Sequence, residues 1–431
     1  MEDIMAKETN KALRNLVIYS VYVRNHSEEG TFAGVEKDLD RIKDLGTDII
    51  WLMPVYPIGK KNRKGSLGCP YAIADYRGVN PEYGTREDLE HLAEEIHKRG
   101  MKLMMDIVYN HTSPDSWLSR NMPDFFYKKA DGSFGNKTGD WGDVIDLDYR
   151  NRDLWEYQIE TLCQWAKIAD GYRCDVAPLV PVEFWIEARK AVEKVKPGFI
   201  WLAETVEPCF IRDNRRLGQV GQSDGEMYQA FDMEYDYDIW GFRDQYLEGK
   251  ISLDMYVQIL NQQHIAFPDN YVKMRCLENH DQRRAKAAVP NESDLLNWTA
   301  FMFFQQGSAL IYGGQETENN HTPSLFDIDK VDWNTGKDIS PLLKKLAEIK
   351  KKEIMAYGTY QLYADDLTDT VIGTYEMGED RLIGVFALKS QAANIKVDLE
   401  DGEYTNLIDG SKVTVKLERM KTEGKPVILE I

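Results

Sequence analysis

Four short segments of this chain carry acids, histidines and an arginine at the ends of apolar runs. They are Met104-Met105-Asp106-Ile107-Val108-Tyr109-Asn110-His111, Gly171-Tyr172-Arg173-Cys174-Asp175, Trp201-Leu202-Ala203-Glu204 and Leu277-Glu278-Asn279-His280-Asp281. A charge buried in a strand is costly unless paired, so apolar runs that end in acids need a reason. Two neighbouring carboxyl groups can divide the cleavage of an acetal between them. One protonates the leaving oxygen, and the other meets the anomeric carbon. Asp175 and Glu204 are about one βα unit apart in the chain, which puts them at the ends of adjacent strands roughly 4.8 Å apart. A reaction that retains configuration uses carboxyl groups about 5 Å apart. Arg173, two residues before Asp175, points to the same side of its strand and can orient that carboxylate and keep it ionised.

These groups need a scaffold in which strand ends converge, and the sequence supplies the elements of one. Leu16-Val17-Ile18-Tyr19 begins a strand, and Phe32, Val35, Leu39, Ile42 and Leu45 follow at helical spacing with Gly46 as the stop. Asp48 to Leu52 is a second strand. Thr85-Arg86-Glu87-Asp88 forms a capping box with Asp in the usual Glu position, ahead of a helix carrying Leu89, Leu92, Ala93 and Ile96. Lys102 to Val108 is a third strand. Asn151 caps a helix with Leu154, Leu162, Trp165 and Ala169 that leads into a fourth strand at Gly171. Strands joined by helices of 10 to 15 residues make right-handed βαβ units and a parallel sheet. Acids at the ends of such strands mark the mouth of a parallel barrel.

Two regions break the rhythm. Between His111 and Asn151 lie Gly132, Gly135, Gly139 and Gly142 with several aromatics and little periodicity, too long a stretch for an ordinary connection. Beyond Lys352 the pattern turns to alternation: Val371 to Tyr375, Leu382 to Leu388 and Val413 to Leu417 read as strands, with turns at Asp401-Gly402 and Asp409-Gly410. The pattern reads as α/β, and the likeness of the four acidic segments to those of the α-amylase superfamily implies a (β/α)8 TIM barrel over residues 1–111 and 151–352, a short inserted domain over 112–150 after the third strand, and a C-terminal antiparallel β-sandwich over 353–431.

Composition narrows the partners. With 53 basic and 72 acidic residues the chain has a formal charge of −19, which argues against nucleic acid or an anionic membrane and suits a neutral substrate such as sugar. The amino terminus shows no basic start followed by an apolar stretch, and the longest apolar run, Ile49 to Tyr56, is far too short to span a bilayer. Five cysteines without a CxxC pair read as buried small residues or free thiols. The expected location is the cytoplasm.

In order and strand context the four segments resemble those of the α-amylase superfamily of glycoside hydrolases. Ala309 to Glu316 resembles that family's eighth strand, and the likeness runs over roughly residues 15–430. The resemblance implies Asp175 as nucleophile, Glu204 as acid/base and Asp281 as a third carboxylate holding sugar hydroxyls. It implies His111 and His280 as donors to the sugar at the cleavage point, Asp106 as a deeper partner of Arg173, and Tyr71 as the ring that stacks on that sugar. No cofactor is implied for the chemistry. A structural calcium is, with Asn110 and Asp146 among its ligands. The implied activity is retaining hydrolysis of α-glucosidic bonds, α-1,4 foremost, in maltodextrins and maltooligosaccharides. Transglycosylation or sugar isomerisation through the same covalent intermediate stays open, as does a catalytically silent glucan-binding barrel. Asn279 to Arg284 also resembles the run of oligosaccharide-cleaving members, with Arg283 in a proline's place. One departure bears on chain length. Where many true amylases carry Lys-His after the nucleophile, lining the reducing-end side, this chain has Pro178-Leu179.

Overall fold

The computed structural model describes residues 8–137 and 141–431; the amino-terminal reading and Gly139 lie outside them. Eight parallel strands close into a barrel: β1 (Val17–Val21), β2 (Ile49–Leu52), β3 (Lys102–Ile107), β4 (Gly171–Cys174), β5 (Ile200–Ala203), β6 (Met233–Tyr235), β7 (Lys273–Arg275) and β8 (Ser308–Tyr312). Every strand pairs with its sequence neighbours, and β8 returns to β1 with Val17 opposite Ala309. Strands β1, β2 and β5 are buried on both faces and are near-continuous apolar runs.

The early elements follow the sequence reading closely. Both arms of the Thr85–Asp88 capping box form, and the helix Arg86–Lys98 buries Leu89, Leu92, Ala93 and Ile96. Asn151 caps Arg152–Trp165 by accepting from the Asp153 amide. The single helix expected from Phe32 to Leu45 is instead two short ones, Phe32–Glu36 and Leu39–Asp44, broken at Lys37-Asp38. The Asp38 carboxylate there is occupied with His26 and Arg41 rather than with a helix end. The strands β6 and β7 carry three residues each, too few to show a period.

Between His111 and Asn151 the chain leaves the barrel and forms a small lobe. A two-residue antiparallel pair joins His111–Thr112 to Ile145–Asp146, and a single helical turn or so lies at Trp117–Asn121. The carboxy-terminal part holds two four-stranded antiparallel sheets. Ile383, Val385, Ile395, Val415, Met420 and Leu429 fill the space between them. The third strand read from the sequence ends at Lys416, and Leu417-Glu418 form a two-residue hairpin turn with both φ angles near +55°. Asp401-Gly402 opens a strand rather than a hairpin. Among the described residues no helix is long and apolar enough to cross a membrane.

Candidate active site

The register of the barrel decides which groups meet. Across β3 and β4 Asp106 lies opposite Arg173, so both side chains enter the barrel on adjacent strands. Arg173 is fully buried. Its Nη1 donates to Asp106 Oδ1 and to Asp175 Oδ1, each at 2.9 Å, and its Nε donates to Tyr235 Oη at 3.0 Å. The Nη2 lies 2.8 Å from Glu204 Oε1, close enough for an ion pair but off line for a hydrogen bond. One guanidinium thus touches three carboxylates, and the rings of Trp51, Tyr71 and Tyr235 surround it within 5.2 to 5.6 Å.

The neighbours of these acids are equally determined. Asp106 Oδ2 accepts from Trp51 Nε1 at 3.2 Å and from Tyr71 Oη at 3.0 Å. His280 Nε2 sits 2.8 Å from Tyr71 Oη and 3.0 Å from Asp281 Oδ2. Glu204 Oε2 accepts the Val176 N–H at 2.7 Å. Val176 follows Asp175 directly and has φ 34°, ψ 43°, a left-handed conformation that costs a β-branched residue about 1–3 kcal/mol. The surrounding packing holds this strain, and with it the amide that orients Glu204. His111 lies with Nε2 4.0 Å from Asp175 Oδ2. Its Nδ1 is 3.1 Å from Asn110 Nδ2. An amide nitrogen can only donate, so Nδ1 accepts and the ring proton sits on Nε2, facing the cavity.

Burial sets the electrostatics. It pushes Glu204 up to about 8 against the pull of Arg173, with the charges of Asp175 and Asp281 adding to the rise. Burial likewise raises Asp175 to about 7, opposed by Arg173 and assisted by Asp106. Removal from water, rather than like-charge repulsion, is the main reason Glu204 keeps its proton, and Arg173 does not hold Asp175 in the ordinary carboxylate range. Asp106 is raised by burial even with Arg173 beside it, whereas at Asp281 the adjacent His280 outweighs burial and lowers the carboxyl. Burial lowers His111, which is therefore neutral near pH 7. The acids titrate as a set around one cation, with Glu204 above Asp175.

Asp175, Glu204, Asp281, Tyr71, His111 and His280 line one cavity of about 380 Å³, at the lower end of the range for small-molecule sites. Asp106 and Arg173 sit beneath it. Trp141, Asp143, Val206, Glu207, Tyr237, Lys64 and Phe326 complete the wall. None of these, nor Trp51 and Tyr235, was read from the sequence. The basic run Gly59-Lys60-Lys61-Asn62-Arg63-Lys64-Gly65, unusual in an acidic chain, was the available signal for Lys64. Pro178 and Leu179 lie in a buried 3-10 turn and are not part of this wall.

Asn110 and Asp146 do not fit a calcium cage. The Asn110 side chain turns its Nδ2 to His111 Nδ1 at 3.1 Å, and the Asp146 carboxylate accepts the Lys137 N–H at 2.6 Å. The Lys137 ammonium donates to the Leu147 carbonyl at 2.9 Å, and its charge near Asp146 already offsets part of what a cation would supply. Among the described residues no three His, Cys, Asp or Glu side chains gather as a metal site.

A family model described as the α-amylase catalytic domain matches residues 17–131 and 139–355, and one described as the bacterial α-amylase C-terminal domain matches residues 361–429. The fold is similar to the crystal structure of an α-amylase from Lactobacillus plantarum, with TM-score 0.96, 48% identity, and coverage of 98% of this chain and 100% of that one. A maltogenic α-amylase from Thermotoga neapolitana is similar with TM-score 0.87 and 32% identity, covering 97% of this chain and 99% of its own. Among curated relatives, the α-amylase MalA of Haloarcula japonica is 28% identical over 324 residues, 70% of this chain. That match spans only 44% of the relative's length.

Proposed function

This chain belongs to the α-amylase family of glycoside hydrolases, and from that premise we propose that it hydrolyses α-glucosidic bonds, α-1,4 foremost, in maltodextrins and maltooligosaccharides with retention of configuration. The observation that carries the reading is the single buried guanidinium of Arg173, which gathers Asp106, Asp175 and Glu204 at the barrel mouth.

In this reading the sugar at the cleavage point lies against Tyr71, with the Nε2–H of His111 donating to one of its hydroxyls. Glu204, protonated because it is buried, gives its proton to the glycosidic oxygen while Asp175 attacks the anomeric carbon. The glycosidic C–O bond breaks, a C–O bond to Asp175 forms, and the freed sugar leaves with the proton. Glu204, now ionised, takes a proton from water, and that water oxygen displaces Asp175 from the anomeric carbon. Asp281 balances the positive charge that develops on the ring, while Arg173 holds the attacking carboxylate of Asp175 in line.

Proton magnetic resonance of the first product from maltotetraose tests the mechanism. The α-anomer is expected, and an initial β-product would overturn it. Asp175→Asn should lose nearly all turnover while keeping the wild-type melting profile. Near-normal activity in that variant would remove Asp175 from the nucleophile's place.

A further inference from the structure

The proton donor must touch the oxygen being released, so the leaving group extends on the Glu204 side of the cavity, past Val176, Val206 and Glu207. Away from the strand that carries Glu204, the cavity is lined by Lys64, Asp143, Leu325 and Phe326, and the retained sugar would continue toward them. These come from three loops far apart in sequence: the connection after β2, the inserted lobe and the connection after β8.

Residues 62–67 tie those loops together. Asn62 Nδ2 donates to the Gly142 carbonyl at 3.3 Å, and Lys64 Nζ lies 2.9 Å from Asp143 Oδ1. The same Lys64 ammonium sits 5.9 Å from the Phe326 ring. Ser66 donates to Asp327 Oδ1 from both its amide and its hydroxyl, at 2.8 and 2.6 Å, and the Leu67 amide donates to the Phe326 carbonyl at 3.0 Å. Gly65 has φ +61°, and a Cβ there would meet Phe326 Cβ at 2.5 Å, so the two loops lie in direct contact. Asp143 is buried and Lys64 half-exposed. The only charged link across this end is theirs, among the described residues lining the cavity.

We propose that the segment 62–67, latched by the Lys64–Asp143 pair, is an end-stop on the glycone side that confines cleavage to bonds near the non-reducing end of an α-glucan. This rests on the hydrolase reading above and adds the direction and position of attack. A chain that must pass through this wall has to break the pair and part the loops. A chain that enters by its non-reducing end does not.

The test uses maltoheptaose carrying a fluorophore at its reducing end, digested to under a tenth of completion. Wild-type enzyme should yield labelled products shortened by one or two sugars, with short labelled fragments absent at early times. Lys64→Ala and Asp143→Asn should each raise the share of internal cuts roughly two- to fivefold, the range an incompletely buried ion pair is worth. The exchanged pair Lys64→Asp with Asp143→Lys should bring the share back toward wild type. Early labelled products spread evenly along the chain in wild type would overturn the end-stop even if no variant folds. Single variants with an unchanged cut pattern would overturn the role of the pair. No release of sugar from any α-glucan would instead refute the hydrolase reading itself.

Discussion

Replacing Glu204 by glutamine should stabilise the fold at alkaline pH while abolishing acid catalysis. The folded carboxyl titrates at about 8 rather than its ordinary 4.5, because burial opposes its charge more than Arg173 favours it. A raised carboxyl stabilises the fold only while protonated. That contribution is complete below about pH 4.5 and is lost as the pH climbs through about 8. At about 1.4 kcal/mol per tenfold in proton affinity, holding this charge in the barrel mouth costs roughly 5 kcal/mol at pH 9. Glutamine removes the charge and keeps an acceptor for the Val176 amide. Its NH2 would face Arg173 Nη2, donor against donor, which takes back about 1–3 kcal/mol. A net gain of roughly 2–4 kcal/mol remains. Unfolding entropy near 2.1 cal/mol/K per residue gives about 0.9 kcal/mol/K for 431 residues, so the melting temperature should rise by about 2–4 °C at pH 9. At pH 4 the charge cost is absent and only the donor clash remains, so the rise should give way to a loss of about 1–3 °C. Scanning calorimetry of wild type and variant at both values reads the difference. An equal shift at the two pH values, or a loss at pH 9, would refute the claim that burial is what holds the Glu204 proton.

The same groups predict a bell-shaped rate profile, its acid limb set by Asp175 near 7 and its alkaline limb by Glu204 near 8; an alkaline limb that survives in Glu204→Gln would assign it elsewhere. Glu204→Gln should also lose far more activity on maltotriose than on α-glucosyl fluoride, and equal losses would count against the acid role. With Pro178-Leu179 lying in a buried turn rather than offering polar groups to a reducing-end sugar, the specificity constant should favour maltooligosaccharides over starch per cleavable chain. A preference for starch with early mid-length products would contradict both this and the end-stop. The Lys137 amide held by Asp146 and the Lys137 ammonium on the Leu147 carbonyl predict that a chelator leaves activity and melting temperature unchanged and that calcium raises neither. A melting temperature that climbs with calcium would show that the cation site is built differently.

What the sequence determined by itself was the barrel class and the identities of the acids at its mouth. Strands β1 to β5 are long enough, and the helices between them amphipathic enough, for period and caps to be read directly, as the Thr85 and Asn151 caps show. Asp175 and Glu204 were legible because a carboxylate closing an apolar run is costly to bury and stands out against its neighbours. Strands β6 and β7 were not, for two reasons. Three residues carry no period, and their charged members, Glu234, Lys273 and Arg275, are buried, with Lys273 paired to Glu234, Asp224 and Asp238. Only tertiary structure could bring those four together from separate elements, and the same holds for the rest of the site. Trp51 and Tyr235 enter it through barrel closure. Lys64 meets Asp143 and Phe326 because three loops converge over one strand mouth. Local pattern determines elements because it depends on neighbours a few residues apart. A pocket wall depends on distances between loops, and those are set only when the strands close into a ring.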